Sequence, residues 1–157
     1  MLPAENQTVR RPAVALILLL LVSGLPLPVR AVDPGAAPAR ASALVFGQAL
    51  EQGDPSLLRG ILPRKGKVQL RLLSLGPGNG FFSAGQVESL IREFLDQGAL
   101  RSFRLVHVEQ DAERYALARG QAEITDRQGR TRSVELQLAF QPEDGRWVLR
   151  EMRETPS

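Results

Sequence analysis

The sequence predicts an α+β fold that is cone-shaped, with three N-terminal helices packed on a strongly curved, mostly antiparallel five-stranded sheet. Two observations lead to this fold: a strongly amphipathic helix over residues 83–98, and four segments of alternating apolar and polar residues after residue 100. An apolar helical stripe must pack against another element, and the alternating segments supply the large surface for it. The chain of 157 residues is long enough for one such domain.

Both ends of the helix at 83–98 are marked in the sequence. Ser83 is a favourable N-cap, and Gln86 three residues later completes a capping box. Gly98 suits the left-handed conformation that follows a helix C-terminus. The apolar stripe recurs at helical spacing and consists of Val87, Leu90, Ile91, Phe94 and Leu95.

The N-terminus has the composition of a secretory signal. A pair of arginines precedes an unbroken apolar run over residues 13–22, and small or apolar residues stand before a cleavage position after Ala31. We therefore predict a signal peptide over 1–31 that contacts the membrane only transiently, and a mature protein exported to the periplasm or the extracellular space. The alternative is an uncleaved inner-membrane anchor formed by residues 13–25.

The segments before the long helix predict a linker and two shorter helices. Residues 32–41 are rich in Pro, Ala and Gly, which is typical of a linker. Ser42 is a candidate cap for a helix that Gly53 ends, and Asp54-Pro55 then begins a second helix as its N-cap and first residue. The predicted globular domain therefore covers residues 42–157.

The strand predictions depend on alternation with a period of two residues. A glycine-rich stretch at 76–80 is predicted to be a loop, and turns are predicted at 126–129 and 142–145. In the last strand Trp147, Leu149 and Met152 break the alternation, which indicates a β-bulge. The five predicted strands cover residues 67–75, 102–110, 114–125, 132–141 and 146–153.

Charge and composition exclude several classes of function. The chain has 20 Lys+Arg and 17 Asp+Glu, and both signs are interspersed, so nucleic-acid binding is not expected. It has one histidine and no cysteine, which rules out thiolate and multi-histidine metal sites within the chain. The sequence accordingly predicts no metal site and no cofactor.

From about Ala43 to Glu154 the chain resembles the nuclear-transport-factor-2-like superfamily, and within it a family of small exported bacterial domains of unknown function. The resemblance implies a conical α+β fold whose sheet curls around a cavity, often paired into dimers, and it carries no catalytic assignment. The matching stretches are Phe46-Gly47-Gln48-Ala49-Leu50-Glu51-Gln52-Gly53-Asp54, Phe82-Ser83-Ala84-Gly85-Gln86-Val87, Phe94, Ser102-Phe103, His107, Tyr115-Ala116-Leu117-Ala118-Arg119-Gly120 and Gly145-Arg146-Trp147-Val148-Leu149.

His107 separates the functional alternatives. It shares a predicted strand face with Glu109, so one interpretation is a general base oriented by a carboxylate. The other interpretation is a structural histidine whose ring packs among Phe103, Leu105 and the helix at 83–98. We expect the structural role, in which His107→Ala lowers the unfolding midpoint.

The sequence predicts a non-catalytic binding or protein-interaction module. No pair of carboxylates shares an obvious pocket, so no catalytic residue is assigned. The alternative is a cavity enzyme of isomerase or hydrolase type that uses His107 and Tyr115. The expected partners are a small apolar ligand and a second copy of the chain, paired through the sheet face. The candidates for lining a ligand cavity are Phe94, Phe103, His107, Tyr115, Leu136 and Trp147.

Overall fold

The computed structural model describes residues 37–76, 78–111 and 114–155, which form helices followed by strands. The helices are α1 (Ala37–Glu51), a 3₁₀ helix (Pro55–Gly60) and α2 (Ala84–Asp96). The strands are β1 (Val68–Leu72), β2 (Gly78–Phe82), β3 (Leu100–Asp111), β4 (Tyr115–Thr125), β5 (Thr131–Glu143) and β6 (Arg146–Thr155). The predicted signal peptide at 1–31 lies outside the described residues.

The strands form one open, mixed sheet in the order β2-β1-β6-β5-β4-β3. Strands β3 to β6 are an antiparallel meander, as predicted, while β1 pairs parallel with β6 and places Leu70 opposite Met152. The α+β class is confirmed, but two element counts were wrong. The sheet has six strands rather than five, and the three predicted helices are two α-helices and one 3₁₀ helix.

Helix α2 has the predicted boundaries. The backbone N–H of Gln86 donates to Ser83 Oγ at 3.4 Å, and the N–H of Ser83 donates to Gln86 Oε1 at 2.8 Å, so the capping box is present. Gly98 follows the helix with φ of 65°. Val87, Ile91 and Phe94 are buried, with Leu90 and Leu95 partly buried beside them.

Helix α1 begins at Ala37, so the predicted linker at 32–41 is wrong for its last five residues. Ala39 is fully buried, and Pro38 lies in the first turn, where a missing N–H costs nothing. Ser42 is therefore inside the helix rather than its cap. Its Oγ donates a hydrogen bond to the Trp147 carbonyl at 2.9 Å, which joins α1 to β6.

The 3₁₀ helix begins as the sequence predicts. Gly53 has φ of 63°, and Asp54 Oδ1 accepts from the N–H of Ser56 at 3.0 Å. Arg59 of this helix donates through Nε to Glu88 of α2 at 2.8 Å. That hydrogen bond, opposed by partial burial, lowers the pKa of Glu88 below 4.5. Glu88 therefore links the 3₁₀ helix to α2.

Strand β2 lies where the glycine-rich loop at 76–80 was predicted. It pairs antiparallel with β1, and Gly80 faces Leu70. A Cβ atom on Gly80 would lie 2.8 Å from the ring of Phe82, so the glycine allows that ring to fold back over the strand. Glycine and asparagine carry little strand propensity, and here the backbone of β1 provides the pairing instead.

The core lies between the helices and one face of the sheet. Strand β4 contributes small residues to this face. One of them, Gly120, makes room for the ring of Phe103, because a Cβ atom at position 120 would overlap that ring. The residues that β5 and β6 add are Val134, Leu136, Leu138, Phe140, Leu149 and Met152. The predicted bulge in β6 is confirmed. Ala139 of β5 pairs with Glu151, but the next residue, Phe140, pairs with Leu149, so β6 has one extra residue at this point.

The two hairpin turns lie at the predicted positions in the chain. Gly129 closes the β4–β5 turn with φ of 77°, and its N–H donates to the Asp126 carbonyl at 2.9 Å. The β5–β6 turn is shorter than predicted, since Asp144 and Gly145 alone connect the strands with φ of 50° and 75°. In the described part of the chain, no helix is long and apolar enough to cross a membrane.

Candidate functional site

His107 lies on the outer face of the sheet, away from the helices. A bulge between Leu105 and His107 shifts the register of β3 against β4, so the face that Phe103 and Leu105 define does not continue to His107. The His107 side chain is 46% exposed, and Nε2 lies 3.5 Å from Glu109 Oε1. The prediction that its ring packs among Phe103, Leu105 and α2 is therefore wrong, whereas the shared face with Glu109 is observed.

Tyr115 lies on the same outer face but does not meet His107. It begins β4, is 38% exposed and faces Asp111, whereas His107 faces Arg119. Tyr115 and Arg119 are four positions apart along β4, which is about 13 Å at the usual rise per residue. The two candidate catalytic side chains thus do not converge on one pocket.

The other predicted cavity residues belong mainly to the core. Phe103 packs edge-to-face on Phe46 of α1, with ring centroids 5.2 Å apart. Leu136 is buried, and Trp147 is partly buried against the core. Phe94, also buried in the core, borders an open cleft.

This cleft, which we call the end cleft, lies between α2, the turn after β1 and the β4–β5 turn. Its volume is about 490 Å³. The side toward α2 and the start of β3 combines apolar residues with Glu93 and Gln97, and the opposite side is mainly polar but includes Leu75. The lining residues used below are Leu75, Leu90, Phe94, Thr125, Asp126 and Arg127.

A second cavity, the arginine pocket, adjoins the end cleft and has a volume of about 460 Å³. The two cavities share Ser74, Gly76, Asp126 and Arg127. Arg130 and Arg132 complete the basic lining. The pocket therefore brings three guanidinium groups and one carboxylate to the end of the β4–β5 hairpin.

Glu154 is the buried carboxylate next to this pocket. Its side chain is 5% exposed, and it accepts a hydrogen bond from the N–H of Ser74 at 2.7 Å. The Ser74 hydroxyl also donates to Glu154 and accepts from Arg132. Arg132 Nη2 lies 3.5 Å from Glu154 Oε1. These contacts hold the turn after β1 against β5 and β6.

Asp126 orders the β4–β5 turn and remains ionised. The backbone N–H groups of Arg130 and Gln128 donate to Asp126 Oδ1 at 3.0 and 2.9 Å, and Arg130 Nε donates to Oδ2 at 3.0 Å. The backbone hydrogen bond from Arg130 is the main cause that lowers the pKa of Asp126 below 3.8. Among the described residues, no three His, Asp or Glu side chains are grouped to hold a metal ion.

Solved structures with the same architecture come from several bacteria. A DUF4783 family protein from Bacteroides uniformis has 14% identity and a TM-score of 0.57, over 73% of this chain and 95% of that chain. A candidate dehydratase of the NTF2-like family from Streptomyces avermitilis has 17% identity and a TM-score of 0.57, over 80% and 99%. The chain has the nuclear-transport-factor-2-like fold. The fold that the resemblance implied is thereby confirmed.

A further nuclear-transport-factor-2-like neighbour, of unknown function and from Shewanella oneidensis, has 14% identity and a TM-score of 0.56 over 77% of this chain and 98% of that chain. No protein-family model matches the sequence, and no curated protein matches it. At these identities the likeness concerns the fold alone. What the nuclear-transport-factor-2-like fold does in this chain must be inferred from its own cavities.

Sequence reasoning did not identify most of the residues that line the two cavities. Ser74 and Arg127 were assigned to a strand end and a turn, with no role. Glu154 had one usable signal, because it follows Met152 by two positions and so falls on the inward face of β6. The predicted strand stopped at residue 153, and the inward carboxylate was overlooked.

Proposed function

We propose that this chain is an exported, non-catalytic binding domain that holds a small molecule in the end cleft. The observation that carries the proposal is the separation of His107 and Tyr115 from the cleft and from each other. A catalytic pocket needs titratable groups that converge on one substrate position. A binding site needs instead a concave, partly apolar surface with a few oriented polar groups.

The end cleft meets those requirements. Its volume of about 490 Å³ lies within the range of roughly 300–1,000 Å³ that is usual for small-molecule pockets. Leu90 and Phe94 provide apolar contact from α2, while Thr125 and Asp126 provide polar groups from the end of β4. Two regular elements and a hydrogen-bonded turn position these groups, so the cleft is largely preformed.

The alternative function is a cavity enzyme of isomerase or hydrolase type that uses His107 and Tyr115. The observation in its favour is the 3.5 Å approach of His107 Nε2 to Glu109 Oε1, with Arg119 Nη2 3.6 Å from the same oxygen. Such a carboxylate could orient the imidazole as a base. Against it, both side chains are well exposed, and neither lines the end cleft or the arginine pocket.

Pairing of two copies through the sheet face remains a second way in which the chain could act. The outer face carries ion pairs such as Arg153–Glu151 at 2.8 Å and Arg71–Glu151 at 3.5 Å. An interface built there would be polar rather than a large apolar patch. Sedimentation velocity at several concentrations tests this pairing, and a monomer throughout would exclude it.

Ligand mapping by nuclear magnetic resonance tests the binding proposal. We expect small apolar amides and alcohols to shift amide resonances around Leu90, Phe94 and Thr125. Leu90→Lys should abolish the shifts because it places a charge in the cleft. Leu44→Lys, at an exposed position on α1, is the matched control. Shifts confined to His107 and Tyr115 would favour the enzyme alternative and contradict the end cleft as the site.

Mass spectrometry of the protein from the producing cell tests export. The mature chain should begin at Val32 if the signal is cleaved after Ala31. Ala31→Arg should block processing, because the position before the cleavage site needs a small side chain. Recovery of the intact parent chain in the membrane fraction would instead support an anchor at residues 13–25.

A further inference from the structure

The arginine pocket carries more positive charge than its carboxylates neutralise. Arg127, Arg130 and Arg132 line it, together with Asp126. Glu154, buried behind Arg132, is the second carboxylate in contact with this group. Three cations therefore face two anions in this pocket, while Glu93 places a third carboxylate on the α2 side of the adjoining end cleft.

The carboxylates engage two of the three arginines. Arg130 Nη2 lies 2.9 Å from Asp126 Oδ2, and Arg132 Nη2 lies 3.5 Å from Glu154 Oε1. Both pairs restrict the arginine side chains and so reduce the conformational entropy that a ligand would have to remove. Arg130 and Arg132 thus stand as partly ordered cations at the wall of the pocket.

Arg127 is the unneutralised cation. Within residues 37–76, 78–111 and 114–155, no carboxylate lies at ion-pair distance from its guanidinium. The guanidinium lies against the backbone of Gly76, where a Cβ atom would overlap it. Because Arg127 lines both cavities, its guanidinium N–H groups lie at the boundary between the arginine pocket and the end cleft.

We propose that the end cleft and the arginine pocket together bind an amphiphilic organic anion. The acid group, a carboxylate or a phosphate ester, pairs with Arg127 beside Arg130 and Arg132. The short apolar tail lies along Leu75, Leu90 and Phe94. This inference rests on the proposed function and names the ligand class for the same cleft.

The chemistry of arginine supports this assignment. A guanidinium group presents paired N–H donors that match the oxygens of a carboxylate or a phosphate. The three arginines are exposed, so solvent and salt partly screen an ion pair there, and the paired donor geometry provides the selectivity. A neutral polar group would leave the charge of Arg127 without a partner, so an acid is favoured over its amide.

Isothermal titration of the full chain with four probes tests the proposal: octanoate, octyl phosphate, octanamide and inorganic phosphate. We expect either octyl acid to bind at least tenfold more tightly than octanamide and than inorganic phosphate. Arg127→Gln should weaken binding of the octyl acid at least tenfold. Arg104→Gln removes an exposed arginine from β3 and should leave the affinity unchanged. Thermal melts of both variants check that the fold is retained.

Each contrary result has its own meaning. If octanamide binds as tightly as the acids and Arg127→Gln has no effect, anion recognition is wrong while small-molecule binding in the end cleft stands. If inorganic phosphate binds as tightly as octyl phosphate, the apolar half of the proposed site is wrong. If no octyl probe binds and no apolar compound shifts the cleft resonances, both the ligand class and the proposed function fail.

Discussion

Glu154, near the end of the last strand, accepts a hydrogen bond at 2.7 Å from the backbone N–H of Ser74, eighty residues earlier in the chain. Arg132 adds a cation to the same carboxylate, so a turn, an inner strand and the final strand meet at one buried group. Removal of a buried carboxylate leaves its partners without an acceptor or a counter-charge. Glu154 is therefore the side chain that most directly supports the wall shared by both cavities.

The first prediction is that Glu154→Ala lowers the free energy of unfolding by about 2–4 kcal/mol, because Ser74 and Arg132 lose their shared partner. Urea denaturation followed by circular dichroism measures the loss. Glu151→Ala is the matched control on the same strand: Glu151 is 24% exposed and pairs on the outer face, so its loss should stay below about 1 kcal/mol. If the two variants lose the same free energy of unfolding, the buried contacts of Glu154 contribute no more to stability than a surface ion pair.

The second prediction reverses the one drawn from the sequence for His107. Since the side chain is 46% exposed, His107→Ala should change the free energy of unfolding by less than about 0.5 kcal/mol. Phe103→Ala, on the same strand but in the core, should cost about 3–5 kcal/mol. Chemical denaturation of both variants decides the point. A large loss for His107→Ala would mean that the ring is buried after all.

The third prediction concerns the capping box of α2. Ser83→Ala removes the side chain that accepts from the N–H of Gln86 and should cost about 1 kcal/mol. Ser89→Ala makes the same chemical change inside the helix, at an exposed position. Because alanine has the higher helix propensity, this control should stabilise the protein by a few tenths of a kcal/mol, roughly. Thermal melts that move in the same direction would contradict the capping role.

The fourth prediction is a pH dependence that originates at Glu143. Hydrogen bonds from the backbone N–H of Arg64, at 2.8 Å, and of Lys65, with the nearby charge of Arg150, lower the pKa of Glu143 below 4.5, although partial burial opposes them. The native state thus favours the ionised carboxylate more than the unfolded state does. Its stabilising effect is present above pH 4.5 and is lost as the pH falls through the lowered pKa.

Urea midpoints measured between about pH 7 and about pH 3 test this effect. The stability difference between the parent and Glu143→Gln should shrink as the pH falls. Glu123→Gln, which changes an exposed carboxylate 3.9 Å from Arg101, controls for the loss of one surface charge. A gap between the parent and Glu143→Gln that stays constant over the whole range would rule out this linkage.

Local signals explain the parts of the fold that the sequence predicted well. The cap at Ser83, the stripe of α2 and the turn glycine at 129 each act within a few residues, so they can be recognised without knowing the tertiary structure. The α1 start at Ala37 was missed because burial of Ala39 depends on packing against the rest of the domain. Strand β2 was missed for a similar reason, since its partner β1 supplies the hydrogen bonds that its glycines do not signal.

The candidate site was harder to predict because it is assembled from distant segments. Ser74 follows β1, Arg127 and Arg132 flank the β4–β5 turn, and Glu154 lies near the end of β6. No spacing in the sequence relates these positions. The error at His107 has another origin. The bulge between Leu105 and His107 moves the residues that follow it in β3 to the opposite face of the sheet from the one that simple alternation predicts. The local sequence pattern does not show where this extra residue lies.

The parallel pairing of β1 with β6 has a consequence for synthesis of the chain. The meander from β3 to β5 can form from neighbouring segments, but β1 reaches its second neighbour only when the final strand is available. Closing so large a loop is entropically slow compared with hairpin formation. A nascent chain that ends before Arg146 therefore carries unpaired edges on both β1 and β5, and this is the interval in which it is most open to aggregation or to capture by a chaperone.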